Sequence, residues 1–149
     1  IDFYHKRYNI NSDRVNTFEA YTEIWANILN CFLISNNDYK NFVKYINLEH
    51  SWSNIQAQKI FLLTNLDKKD TIDINKYTNV LAYFIIRCEI YNNFKEFIKL
   101  FGKKICCNSN LYFSFLRNKI CTEKDFKKIS KKNFIYKTLR MSALEIKIS

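Results

Sequence analysis

The sequence predicts an all-α fold, a single compact bundle of about six or seven helices forming one helical domain over residues 1–149. Three observations predict it. Proline is absent and glycine occurs once, at Gly102, so the residues that tight hairpin turns and sandwich corners require are nearly missing. Large apolar side chains recur at three- and four-residue steps in several segments, the period of an α-helix rather than of a strand. A chain of 149 residues buries roughly two-thirds of its extended surface on folding, enough for one core.

The clearest element comes first. Phe18, Tyr21, Trp25, Ile28, Leu29 and Phe32 make one apolar stripe, and Asn16 followed by Glu19 is an N-x-x-E variant of the capping box, so a helix is expected from about Thr17 to about Ile34. Asp38 is expected to cap a helix that turns Tyr39, Phe42, Val43 and Ile46 inward, and Ser51 or Ser53 to cap another carrying Ile55, Ile60 and Phe61. Residues 64–73 are polar and turn-like. Tyr77, Val80, Leu81, Phe84, Ile85 and Cys88 form a second strong stripe, which with the first is expected to build the core. Phe94, Phe97, Ile98 and Phe101 continue it or form a second short helix, which Gly102 is expected to end as a left-handed residue. Ser109 would cap a helix holding Tyr112, Phe115 and Leu116, and Thr122 another holding Phe126 and Ile129. The last residues fit a helix or a frayed end.

Charge is unevenly placed. Residues 1–94 hold ten Lys/Arg and ten Asp/Glu, whereas residues 95–149 hold fourteen and four, so the whole net charge of +10 lies in the last third. The five cysteines, Cys31, Cys88, Cys106, Cys107 and Cys121, are odd in number and show no C-x-x-C spacing. That argues against a zinc ribbon or disulfide scaffold and suits reduced thiols in the cytoplasm or another reducing compartment. No apolar run reaches the roughly 18–20 residues that span a bilayer, so no transmembrane segment is expected. The chain begins at Ile1 and its one methionine is Met141, from which a C-terminal part of a longer chain is expected. The abundance of Asn, Lys, Ile, Phe and Tyr suits an AT-rich genome, such as that of a large DNA virus or a protist parasite. One glycine also excludes glycine-rich phosphate loops and dinucleotide fingerprints.

Two constellations point to function. Glu19 and Glu23 stand four apart in "EAYTE", residues 19–23. Positions i and i+4 lie one above the other on a helix, so the two carboxylates share one face. The run resembles the E-x-x-[ST]-D glutamate-helix motif of gluzincin zinc metallopeptidases, with Glu in place of the final Asp. By that resemblance Glu19 is a zinc ligand, Glu23 accepts a hydrogen bond from a zinc-bound histidine, and the substrate is a peptide. The chain has no H-E-x-x-H, and its only histidines are His5 and His50. The zinc-binding helix is therefore expected before Ile1, and this chain alone is expected to be inactive. His50 is the candidate for assisting an oxyanion. Arg14 and Arg87 are candidates for the site or for ordinary salt bridges.

The second constellation is the basic segment, residues 103–149. Lys127, Lys128, Lys131, Lys132, Lys137 and Arg140 alternate with Phe126, Phe134 and Tyr136. Clustered lysines neutralise phosphates, and exposed aromatics stack on unpaired bases. The same pattern also describes the solvated face of an amphipathic helix, or a contact with an anionic membrane surface. Two functional expectations follow: the C-terminal helical part of a zinc-dependent peptidase, or a non-enzymatic basic helical protein. The latter would be a virion, ribosomal or other assembly component that contacts nucleic acid or a protein partner through its lysine-rich end.

Overall fold

A helical segment buried on nearly every side organises the fold. In the computed structural model, which describes residues 2–8, 15–64, 79–105, 108–119, 140 and 142–145, a π-helical stretch, Leu81–Ile86, runs directly into α4, Arg87–Asn92. From Val80 to Tyr91 only Tyr83 is more than marginally exposed, and Ile85, Ile86, Cys88 and Ile90 are wholly buried. The all-apolar run Leu81–Ile86 has to be surrounded, and Arg87 and Glu89 of α4 are buried with it. Around it lie α1 (Asp2–Tyr8), α2 (Thr17–Ile34), α3 (Tyr39–Thr64), α5 (Phe94–Phe101) and α6 (Ser109–Arg117). The described residues contain no strand, and a short 3-10 turn, Ala143–Glu145, packs on α3.

The all-α expectation is met, and α2 has the expected bounds. Its buried face differs. Thr17, Ala20, Tyr21, Ile24, Asn27, Ile28 and Cys31 point inward, while Phe18, Leu29 and Phe32 are exposed. The helix is turned so that Ala20, Ile24 and Cys31 are covered together with Tyr21 and Ile28, and three large side chains of the expected stripe stay outside. The capping box is also absent: Asn16 makes no side-chain cap. Its amide nitrogen instead donates to Asn79 Oδ1, and Glu19 is engaged by Tyr83.

The turn between α2 and α3 shows how a glycine-poor chain reverses direction. Asn36 and Asn37 take positive φ of 51° and 62°, a region that asparagine enters more readily than other side-chain-bearing residues. Asp38 Oδ1 then accepts from the amides of Lys40 and Asn41 at 2.8 and 3.1 Å, as its capping role requires.

Beyond this cap, α3 runs unbroken for 26 residues. Ser51 and Ser53 lie inside it rather than capping a second helix. The expected break is missing because the buried face here is polar, with Glu49, Ser53, Gln56 and Lys59 all under 5% exposed, so apolar periodicity lapses although the helix continues. Tyr39 and Val43, expected inward, face outward.

Aromatic packing joins the far end. Tyr21 of α2 meets Phe97 and Phe101 of α5 and Tyr112 of α6 edge-on, with centroids 5.1–5.7 Å apart. Such pairs add about 0.5–1.5 kcal/mol each beyond burial. Gly102 has φ −68°, not a left-handed value. A Cβ there would come within 2.5 Å of the Ile98 carbonyl oxygen, so close approach, not handedness, is what calls for glycine. Asn108, not Ser109, caps α6, accepting from the Leu111 amide at 3.1 Å. The expected helix after Thr122, and Tyr77, Arg14, Cys106, Cys107 and Cys121, lie outside the described residues.

Candidate functional site

The two glutamates of α2 sit in different surroundings. Both are half-buried. Glu19 accepts a hydrogen bond from the Tyr83 hydroxyl, which lies just before α4. That bond keeps the phenol protonated and raises its pKa above 10.0. Glu23 lines a cavity of about 270 Å³ between α2 and the Ser142–Leu144 turn, with Asn27, Asn30 and Arg87.

Under that cavity lies a buried ion pair. Arg87 Nη2 donates to Glu49 Oε2 at 3.0 Å, with the two side chains 3% and 0% exposed. Glu49 Oε1 also accepts from Ser142 Oγ at 2.7 Å and from the Leu144 amide at 3.3 Å. The carboxylate thus ties the C-terminal turn to α3 and α4. Arg87 is the salt-bridge partner that the sequence allowed for.

A second buried carboxylate holds the other side of α4. Glu89 is wholly buried and accepts from Tyr4 at 2.6 Å, from Tyr8 at 2.5 Å and from Arg7 at 3.1 Å. Arg7 also donates to the Lys119, Leu116 and Arg117 carbonyl oxygens near the end of α6. One arginine therefore joins α1, α4 and α6. Burial pushes the Glu89 carboxyl from 4.5 up to about 7, against the lowering influence of Tyr4, Tyr8 and Arg7. Burial likewise lifts the Cys31 thiol to about 11, which makes it a poor nucleophile, and pulls the Lys59 ammonium down to about 8.

His50 is on α3, where its Nε2 shares a 2.7 Å hydrogen bond with Asn92 Oδ1 and its ring stacks on Tyr91 at 5.9 Å. It borders a different cavity, about 410 Å³, with Ile46, Asn92 and Phe94. The described residues thus place His50 and Glu23 at different cavities. Among them, no three His, Cys, Asp or Glu side chains come together in a group that could hold a metal ion. Zinc needs three protein ligands and an open position. Glu19, engaged by a phenol, does not make such a set with the described residues around it.

The basic side is only partly in view. Lys127, Lys128, Lys131, Lys132 and Lys137 lie outside the described residues. Arg140 is exposed, and its carbonyl oxygen accepts from Trp52 Nε1 at 2.9 Å and from Gln56 Nε2 at 2.5 Å. What sequence reasoning missed is on α5. Lys95 and Lys99 on its outer face, and Lys103 just beyond its end, follow at four-residue steps, with Lys104 beside them; all four are exposed. Among the described residues none of the four is in an ion pair. Eight residues at about 1.5 Å each make a ridge of roughly 12 Å. The i, i+4, i+8 spacing was legible in the sequence.

No protein-family model, no curated protein and no solved structure matches this chain.

Proposed function

We propose that this chain is a non-catalytic, basic helical assembly module that binds nucleic acid through its lysine-rich last third. The observation that carries this reading is the ridge Lys95, Lys99 and Lys103, exposed and without ion-pair partners among the described residues. An unneutralised row of ammonium groups along a helix and just past its end attracts phosphates, and each contact releases condensed counterions. It lies in residues 95–149 with Lys127, Lys128, Lys131, Lys132, Lys137 and Arg140, where fourteen Lys/Arg against four Asp/Glu make up the whole net charge of +10. By contrast, buried Glu49 and Glu89 both hold secondary elements together through hydrogen bonds and ion pairs.

The test is the salt dependence of binding to a labelled oligonucleotide. Affinity is expected to fall linearly on a log–log plot. A Lys95→Gln/Lys99→Gln/Lys103→Gln variant is expected to reduce the slope by about 2–3, at roughly 0.7–0.9 per phosphate contact. Binding that does not weaken as salt rises, or a slope unchanged in the variant, ends the reading. Tighter binding to anionic vesicles than to the oligonucleotide would redirect it to a membrane surface.

A second reading is the gluzincin-like one, favoured by Glu19 and Glu23 standing one turn apart and only half-buried on α2. It requires an H-E-x-x-H segment encoded before Ile1. In the chain carrying that segment, Glu19→Gln is expected to lower zinc stoichiometry while helical content is kept. Equal zinc content in both forms would remove Glu19 as a ligand.

A further inference from the structure

Three rings are stacked beside the first lysine of the ridge. His50 lies on Tyr91 with centroids 5.9 Å and planes 13° apart, and Tyr91 lies on Phe94 at 5.7 Å and 16°. Tyr91 is buried, whereas His50 and Phe94 are half-buried, so the ring surface left uncovered belongs to the two ends of the column. Both end rings line the cavity of about 410 Å³ between α3, the end of α4 and the start of α5. That volume is within the roughly 300–1,000 Å³ of small-molecule sites.

The polar groups around the rings indicate what the cavity takes. Asn92 Oδ1 shares the 2.7 Å hydrogen bond with His50 Nε2 and so fixes the plane of the imidazole. Asn47 and Asn92 are exposed where they line the cavity, and a side-chain amide carries both an acceptor oxygen and NH₂ donors. A nucleobase offers a flat face to aromatic rings and, when unpaired, a free edge of donors and acceptors to amides. Lys95 lines this same cavity and is the first of the exposed row Lys95, Lys99 and Lys103. The one carboxylate among the lining residues, Glu96, is held by Lys119 Nζ at 2.5 Å.

We propose that this cavity receives one unpaired base of a single-stranded nucleic acid whose phosphates run along Lys95, Lys99 and Lys103. The proposal rests on the phosphate-binding reading of α5 and adds to it a choice of strand form. In a duplex the base faces are stacked and the pairing edges are occupied, so no base can enter. Phosphate contact alone favours the duplex, which releases about 0.9 counterion per contact against about 0.7 for a single strand. A preference for the single strand therefore reports the cavity and not the lysines.

Fluorescence anisotropy of the whole chain with a labelled single strand of about 12 nucleotides, and with the matching duplex, tests it. At equal salt the single strand is expected to bind at least about tenfold tighter, a stacked base contributing about 5–150-fold. Phe94→Leu is expected to remove most of that preference while duplex affinity and the salt slope stay as in wild type. If Phe94→Leu loses helix by circular dichroism, Asn47→Leu, at an exposed position on α3, decides by the same comparison. The chain has two histidines, so a His5→Gln variant assigns the His50 ring protons in the NMR spectrum. The single strand is expected to shift them and the duplex to leave them in place. Equal affinity for the two forms, or His50 signals that the single strand does not move, overturns the proposal and leaves the lysine ridge standing as long as affinity falls with salt. Failure to bind either form removes the ridge and the proposal together.

Discussion

Arg87→Met is expected to lower the free energy of unfolding by about 3–5 kcal/mol, the usual cost of removing one partner from a buried ion pair. The physical reason is not the lost attraction. Glu49 is wholly buried beside Arg87, and without the guanidinium its negative charge stays in the interior with only Ser142 and the Leu144 amide as donors. A charge taken out of water and left unpaired is costly. Adding Glu49→Gln to Arg87→Met is therefore expected to recover a large part of the loss: glutamine is neutral and still offers an oxygen to Ser142 and Leu144. Urea unfolding followed by far-UV circular dichroism measures both variants. A single-variant loss under about 1 kcal/mol, the range of exposed pairs, would show that Glu49 and Arg87 are solvated in solution.

The second large effect concerns Glu89 and pH. Its carboxyl titrates at about 7 in the folded chain, up from 4.5, because burial outweighs the favourable contacts of Tyr4, Tyr8 and Arg7. Between those two values the folded state holds a proton that the unfolded state has released. The contribution to stability is therefore fully present below the unfolded value and is lost as pH rises through about 7. At about 1.4 kcal/mol per pH unit the loss is roughly 3 kcal/mol. In a chain of this size it corresponds to a fall in melting temperature of about 6–12 °C. Glu89→Gln removes the titration while keeping an acceptor for one tyrosine. Melting curves at about pH 5 and about pH 8 are expected to converge in the variant relative to wild type, which cancels the groups common to both. The same pH difference in both proteins would mean that Glu89 stays ionised, with Arg7 balancing it. A loss of this size at the α1 end should appear first as exchange of amides in α1.

The fold class was legible because it depends on backbone rules. Without proline and with glycine only at Gly102, few positions can turn or break a helix, and the apolar stripes set the period. Bounds were legible where a local hydrogen bond decides them: Asp38 caps α3 as its sequence position implies. They were missed where buried faces are polar. Ser51 and Ser53 suggest a helix start only because Glu49, Gln56 and Lys59 break the apolar pattern, yet all three point inward. The candidate site divides the same way. Lys95, Lys99 and Lys103 declare themselves by spacing. The engagement of Glu19 by Tyr83, 64 residues away, could not be read from "EAYTE".

By itself, then, the amino-acid order determined that the chain is helical, that its charge is concentrated at one end, and that Val80–Cys88 lies inside, since these follow from composition and local periodicity. Only the packed structure decided which side of α2 is covered. Two faces of that helix are apolar enough to bury, and the choice went to the side carrying Ala20, Tyr21, Ile24, Ile28 and Cys31, which packs on the central segment Leu81–Asn92. Close packing rewards shape rather than total hydrophobicity. Phe18, Leu29 and Phe32 were thereby left at the surface, where the chain meets its surroundings.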